Sequence, residues 1–347
     1  MASAKKLPSG RWRVNLYIGK SADGKRQYKS FTGDSKKEAE YLAAQYNQLK
    51  VDDSSLNITL KKATENYINS KANVISPSTL RSYRSILDNN VQELMAMKLK
   101  DITQRQVQAA FNEFSLNHSP KTCRNVHNLI SAVLKLYKPE LTLRTTLPQK
   151  KKRDIYVPDS AEVNKIREQV KGTEIEIPFI LAAQCGLRAS EISGLEKSSV
   201  HDNHIEIRQA RVQGENGAVL KDPKSFAGFR SVPISKTMSE FLRSRAEEER
   251  ICPLTSLEIS RRWSTFREKQ GLDDALNFHA LRHHFASKCL LLGMPQKYIA
   301  ELMGHNSVDM IERVYQHTFP SAMEQYAAML RKQNEDFMQH EMQHKDL

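Results

Sequence analysis

Apolar residues in this chain recur at every second position in two short stretches and at every third or fourth position almost everywhere else. Period two marks a half-buried strand and the longer period an amphipathic helix, so no single repeated architecture accommodates the whole chain. Residues 7–33 carry the first strand pattern. Residues 11–18 and 25–31 read as strands, with 21–24 as the turn between them. A helix follows to about Leu49, opened by Ser35 with Glu38 three residues on, the arrangement of a capping box. From Ile58 to about Tyr137 the pattern is helical throughout, in four segments opened near Thr59, Ser76-Pro77, Thr103 and Ser119-Pro120. Asp159 and Glu162 then open a helix whose buried stripe is Val163, Ile166 and Val170. The apolar run 177–185 ends at a glycine, and a new helix starts near Arg188 or Ser190. Period two returns at 204–234, where residues 204–212, 218–222 and 229–234 predict a three-stranded antiparallel sheet. Helices resume at 239–249, 256–270 and 283–300, and a tail helix carries Met323, Tyr326, Ala327 and Leu330 at one face.

A chain of 347 residues exceeds one small core and calls for two or three domains. Residues 51–57 and the basic run 148–153 read as linkers. The expectation is therefore a multidomain protein, mainly α with small antiparallel sheets. Residues 1–52 form a sheet-plus-helix domain, 58–145 a helical domain, and 154–335 an α+β domain ending in the tail helix.

The net charge of +13 points to a polyanion, nucleic acid first and an acidic membrane second. On the N-terminal strands Arg11, Arg13, Lys25, Arg26 and Lys29 interleave with Trp12, Tyr17, Tyr28 and Phe31, a surface able to enter a groove of duplex DNA. The same pattern also fits an ordinary solvated sheet face. In the helical region Arg81, Arg84, Lys121 and Arg124, and in the linker Lys150, Lys151 and Lys152, could follow a phosphate backbone. Charge runs of this kind are also commonly just solvated. The chain has no apolar run of about eighteen residues and no apolar core to its first residues, so the expectation is cytoplasmic, with no membrane partner. Cys123, Cys185, Cys252 and Cys289 are scattered without paired metal spacing, which predicts free thiols, no disulfide framework and no zinc.

On a helix, His279 and Arg282 stand at i and i+3 and project from one face. An imidazole and a guanidinium aimed at one point suit an anion, because arginine offers a planar fork to two phosphate oxygens. A tyrosine beside such a site is a candidate nucleophile, and Tyr315 follows His305 by ten residues. Taken alone, such a pair is more often a solvated or packed helix face than an anion site.

Arg188 and Lys224 change that reading by completing an ordered set with His279, Arg282, His305 and Tyr315. The surrounding text is Cys185-Gly-Leu-Arg188-Ala-Ser-Glu191-Ile192, then Lys224 with Arg230-Ser-Val-Pro-Ile234 after it. It continues through His279-Ala-Leu-Arg282-His283, Met303-Gly-His305 and Tyr315-Gln-His317. Over about 155–320 the sequence resembles the tyrosine recombinase (phage integrase) family. The 58–145 region resembles that family's core-binding domain in size, position and helix content. The first 50 residues resemble its small arm-type DNA-binding domain. Met303 stands where the family usually has Leu, and Ser199 where an Asp is common; neither position carries chemistry.

The resemblance implies a site-specific recombinase that integrates or excises a mobile element. Tyr315 would attack a phosphodiester to give a 3′-phosphotyrosine and a free 5′-hydroxyl. Arg188 and Arg282 would clamp the non-bridging oxygens, with His279 and His305 adding hydrogen bonds. Lys224 would protonate the leaving 5′-oxygen, and Glu191 would orient its neighbours. The expected partners are duplex DNA at core-type and arm-type sites and three further copies of the chain. An excisionase or a host DNA-bending protein is a candidate accessory. No cofactor, metal or ATP is implied, because the phosphotyrosine keeps the energy of the broken diester. The expected location is the cytoplasm of a bacterium or of a phage-infected bacterial cell. Two alternatives stay open from the residues: a type IB topoisomerase, and a DNA-binding regulator that keeps the fold without catalysis.

Overall fold

Side-chain caps and glycines punctuate the chain, and the computed structural model shows where each one acts. It describes residues 4–20, 25–49, 55–150, 155–222, 228–246, 249–305, 307–312, 314 and 327–335. Contacts divide the chain into two compact units, residues 1–74 with 82–151 and residues 75–81 with 152–347.

The first unit opens with strands β1 (Lys5–Lys6), β2 (Trp12–Lys20) and β3 (Arg26–Gly33), an antiparallel sheet in that order. Helix α1 (Lys36–Leu49) covers one face, burying Val14, Ala39 and Ala43 with Trp12 and Phe31 packed against them. Alternation sends Arg13, Asn15 and Tyr17 to the other face, opposite Thr32, Ser30 and Tyr28. A bulge between Tyr17 and Gly19 shifts the register beyond that point.

The helices that follow are α2 (Leu60–Lys71), α3 (Pro77–Asn89, of which 77–81 count with the second unit), α4 (Gln92–Ala96), α5 (Gln104–Asn117) and α6 (Pro120–Tyr137). Thr59 and Ser119 cap α2 and α6 by accepting from the Lys62 and Thr122 backbone N–H groups. Helix α4 is an addition to the four segments expected. It is only five residues long, shorter than a readable apolar period, and enters through Val91 in the left-handed conformation (φ 44°). It nonetheless buries Leu94 and Met95.

The second unit contains α7 (Ser160–Val170), α8 (Glu176–Cys185), α9 (Ala189–Gly194), β4 (His204–Ile207), β5 (Ala210–Gly214), β6 (Gly217–Lys221) and β7 (Arg230–Pro233). Then follow α10 (Lys236–Ser244), α11 (Ser256–Lys269), α12 (Ala280–Leu291) and α13 (Gln296–Met303). Asp159, Ser235 and Thr255 cap α7, α10 and α11, so α10 begins three residues before the sequence pattern placed it. The main core is built on Trp263, stacked on Phe179 with centroids 6.2 Å apart and donating its indole N–H to the Leu276 carbonyl at 2.8 Å. A smaller core gathers Phe285, Cys289, Leu290, Ile299, Met303, Ile311 and Val314.

The expected three-stranded sheet at 204–234 is instead two separate ribbons, β4–β7 and β5–β6. The presumed strand 204–212 breaks at Arg208-Gln209. Gln209 turns its amide to the Gly194 carbonyl and the Glu196 carboxylate, at 3.1 and 2.7 Å, which pulls β5 onto α9. Gly194 allows that approach: a Cβ there would lie 2.9 Å from the Arg211 backbone nitrogen.

All four cysteines are free and buried. Among the described residues no helix is long and apolar enough to cross a membrane. Residues 327–335 are helical and expose Met329 and Leu330, while Met323 and Tyr326 lie outside the described residues.

Candidate active site

Two left-handed glycines fix the backbone of the site. Gly186 ends α8 (φ 64°, ψ 26°); its N–H bonds the Ala182 carbonyl, and the Leu187 N–H reaches back to Leu181. That turn delivers Arg188 to the N-cap position of α9. Gly304 ends α13 in the same conformation (φ 62°, ψ 47°) and delivers His305. His279 stands at the N-cap position of α12, with Arg282 one turn inside.

Glu191, in the first turn of α9, is the centre of the charge cluster. Its carboxylate accepts from the Arg188 backbone N–H at 2.9 Å and from the Arg188 side chain at 2.6 Å. Arg230, on β7, grips both carboxylate oxygens, with Nη1 to Oε1 at 3.1 Å and Nη2 to Oε2 at 2.8 Å. Arg282 Nη1 lies 3.9 Å away. Burial opposes ionisation of Glu191, but the hydrogen bonds and charge of Arg230, then of Arg282 and Arg188, bring its carboxyl down to about 2. Arg230 is the residue that sequence reasoning left without a role. Its only signal was the stretch Arg230-Ser-Val-Pro-Ile234.

The same three arginines close the end of α13. Its last carbonyls have no partner within the helix. Arg230 Nε donates to the Leu302 carbonyl at 2.6 Å, Arg282 Nη2 to the Met303 carbonyl, and Arg188 Nη2 to the Gly304 carbonyl at 2.9 Å. Three consecutive carbonyls thus each take a different guanidinium, and the negative end of the helix dipole favours the positive charge. Arg282 also donates to the Gly186 carbonyl, so it ties both glycine turns together. Its side chain is 1% exposed, that of Arg188 33%.

The histidines of this region are held neutral. Burial, then Arg282 and the other arginines, push His305 down to about 3. Its Nε2 accepts from Arg282 Nη2 at 2.8 Å, so the ring proton sits on Nδ1, which has no partner among the described residues. His305 thereby offers a neutral N–H donor. His279 lies at the open side of the site, and desolvation of its ring followed by the nearby His283 and Arg282 bring it to about 4. His283 falls to about 4 through burial and then Arg282. His284 is lowered by burial, which outweighs its bond to the Pro158 carbonyl at 2.9 Å.

Because His283 and His284 fold as neutral rings, the unfolded chain binds more protons once the pH drops below its ordinary histidine value of about 6.5. Stability is therefore full above that value and falls as the pH approaches about 4. Glu191 adds a second loss below about pH 4.5, since its folded carboxyl titrates near 2. Thermal unfolding followed by circular dichroism should give a lower Tm at about pH 5 than at about pH 7.5. A Tm that does not change between them would contradict the buried neutral rings.

Of the residues expected from the sequence, Arg188, Glu191, His279, Arg282 and His305 come together here, and Arg188 and His279 line one open cleft with Ser190, Gln213 and Ser260. Lys224 and Tyr315 lie outside the described residues, as do Lys151 and Lys152. Arg13, Lys25, Arg26, Lys29, Arg81, Lys121 and Lys150 are exposed. Arg11 pairs with Asp34 at 2.7 Å, and Arg84 donates to Asn69. Arg124 donates to the Pro120 and Pro148 carbonyls, so it also fastens residue 148 to α6. Lys29 sits opposite Leu16, which places it on the α1 side of the sheet rather than with Arg13.

One group of described residues has metal-ligand chemistry: His201, His204 and Glu206, on and before β4. The two imidazoles stack at 4.5 Å with ring planes 20° apart, so one ion cannot lie in both ring planes. Arg208 already pairs with the carboxylate. The group is an ion-pair cluster in this arrangement, and no metal centre is assigned to it.

The model of the phage integrase family matches residues 157–321, and that of the phage integrase N-terminal SAM-like domain matches residues 59–115. The chain belongs to the tyrosine recombinase, or phage integrase, family. A XerC-like tyrosine recombinase of Caldanaerobacter subterraneus subsp. tengcongensis is 26% identical over 366 residues, covering 89% of this chain and 93% of that protein. Tyrosine recombinase XerC of Haemophilus influenzae is 29% identical over 142 residues, 38% of this chain and 45% of its own length. Among solved structures, the Tn1549 transposon integrase superposes with a TM-score of 0.63 at 15% identity, over 78% of this chain and 100% of that one. A lambda integrase tetramer bound to a Holliday junction gives 0.59 at 19% identity, over 90% of this chain and 94% of that one. At such identities the two structures speak for the fold: mainly α, with small antiparallel sheets.

Proposed function

We propose that this recombinase is an integrase, which inserts or excises a mobile element by cutting and rejoining DNA at specific sites through a 3′-phosphotyrosine. The observation that carries the reading is the convergence of Arg188, Arg282 and His305 on the end of α13, with His279 beside them. In it Tyr315 is the nucleophile. Arg188 and Arg282 hold the non-bridging oxygens, where charge grows in the transition state. His305 donates from Nδ1. His279, neutral at physiological pH, accepts the tyrosine proton or donates to the phosphate. Lys224 protonates the leaving 5′-oxygen. The reading divides the chain into an arm-type DNA-binding domain (1–52), a core-binding domain (58–145) and a catalytic domain (154–335).

The Tn1549 integrase was solved with transposon right end DNA, and lambda integrase as a tetramer on a Holliday junction. The lambda assembly supports a homotetramer on DNA as the working form; an excisionase or host DNA-bending protein is the accessory the reading calls for. The bacterial source of the XerC-like relative supports a bacterial setting, and the reading places the protein in the cytoplasm of a bacterium or of a phage-infected bacterial cell.

A suicide duplex carrying the element's end should trap a covalent protein–DNA adduct, and Tyr315→Phe should abolish it. An adduct that survives Tyr315→Phe removes Tyr315 as the nucleophile. Relaxation of any plasmid without site dependence would instead establish a topoisomerase. Duplex affinity should also fall steeply with salt: neutralising about six phosphates would lose on the order of 10³-fold between 50 and 200 mM. A flat salt response would remove the exposed basic residues from the interface.

A further inference from the structure

The cluster around Glu191 holds three guanidiniums and one carboxylate, so its charges leave two positive in excess. A phosphodiester carries one negative charge. The pentacoordinate state formed when an ionised tyrosine attacks it carries two, until the leaving oxygen is protonated. The arginines with donor capacity left for a phosphate are Arg188, a third exposed, and the buried Arg282, whose Nε is unpartnered among the described residues. Arg230 cannot join them at the phosphate. Its Nε, Nη1 and Nη2 all donate already, to the Leu302 carbonyl, to Glu191 and to the Gly228 carbonyl, whereas Arg282 keeps Nε without a partner among the described residues.

We propose that Arg230 is a positioning residue of the recombination reaction: paired with Glu191 behind the two phosphate-binding arginines, it sets the excess charge of the arginine–Glu191 cluster to that of the pentacoordinate state before Lys224 delivers its proton, and locks Arg188 to the end of α13. This rests on the proposed roles of Arg188 and Arg282. Without Glu191, three like charges would crowd one pocket and Arg188 would lose the acceptor of its Nη1. Without Arg230, Glu191 would draw on Arg188 and Arg282 and leave one excess charge, which matches the bound diester better than its transition state. The Leu302 carbonyl would also lose its donor, loosening the turn that carries His305. Only a guanidinium spans both carboxylate oxygens and the helix carbonyl at once, so lysine is no equivalent.

The test is a double-mutant cycle on single-turnover cleavage of the suicide duplex, with duplex affinity and Tm measured alongside. Arg230→Met should slow cleavage by about 100-fold, the size expected when a transition-state contact is lost, with affinity changed by less than about threefold. Glu191→Gln should slow it by about tenfold. The double variant restores the excess of two charges and removes the uncompensated buried ion, so it should cleave at least about tenfold faster than Arg230→Met. A residue that merely packs would give no such rescue. If Arg230→Met does not fold, Arg230→Lys carries the test: it keeps the charge yet should still lose about tenfold in rate. Wild-type cleavage by Arg230→Met or Arg230→Lys, or a double variant no faster than Arg230→Met, would overturn the proposal. Failure of the wild type itself to form the adduct would instead overturn the function, so the two readings fail separately.

Discussion

Arg282→Met should end strand cleavage and destabilise the second unit at the same time, whereas Arg188→Met should do only the first. Arg282 is buried and holds the Gly186 and Met303 carbonyls and His305. Removing it leaves two buried carbonyls without their donor and Glu191 short of a counter-charge. Breaking a buried charged cluster by taking out one member costs about 3–5 kcal/mol. Arg188 shares Glu191 and Gly304 but leaves a third of its side chain in solvent, so its stability contribution is screened to roughly 0–1 kcal/mol. Each variant should lose about 10³-fold or more in single-turnover cleavage, the effect of an arginine stabilising phosphoryl transition-state charge. Urea unfolding of the two variants separates them. Equal loss of stability in both, or wild-type stability in Arg282→Met, would sink the account of Arg282 as a tie between the two glycine turns.

Gly186→Ala is the second large effect. At φ 64° an alanine is strained by about 1–2 kcal/mol wherever it is placed. Here its Cβ would also lie 2.4 Å from Phe285 Cδ1, inside the smaller core, and repacking costs typically another 1–3 kcal/mol. A loss of about 2–5 kcal/mol is expected, measurable by urea unfolding. Gly172 provides the control: its φ is 74°, but nothing lies within 4 Å of a Cβ there, so Gly172→Ala should lose only the backbone strain. Since Arg188 follows the Gly186 turn by two residues, any Gly186→Ala protein that still folds should cleave more slowly than its folded fraction explains. Similar stability for the two glycine variants would contradict the Phe285 contact.

The long elements were legible because their signals are local. Thr59, Ser119 before Pro120 and Asp159 before Glu162 each close their own helix start, and the structure shows those caps. The breaks were harder. Helix α4 is too short to show a period. The break at Arg208-Gln209 depends on Gln209 reaching Gly194 and Glu196, which are distant in the sequence. Arg230 went unassigned for the same reason: its partners are Glu191, 39 residues away, and Leu302, 72 residues away.

By itself the sequence determined the capped starts of α2, α6 and α7, the N-terminal sheet, the order of Arg188, His279, Arg282 and His305, and the family those residues signal. These follow from short-range capping, from apolar period and from residue chemistry, all readable along one strand of text. Only the tertiary structure decided that three arginines share one carboxylate and three consecutive carbonyls, that His305 carries its proton on Nδ1, and that Arg230 stands behind the site. Those facts depend on which buried donors find which buried acceptors. Burial makes an unpaired charge or carbonyl costly, so the packed fold had to bring together partners that no local pattern in the sequence connects.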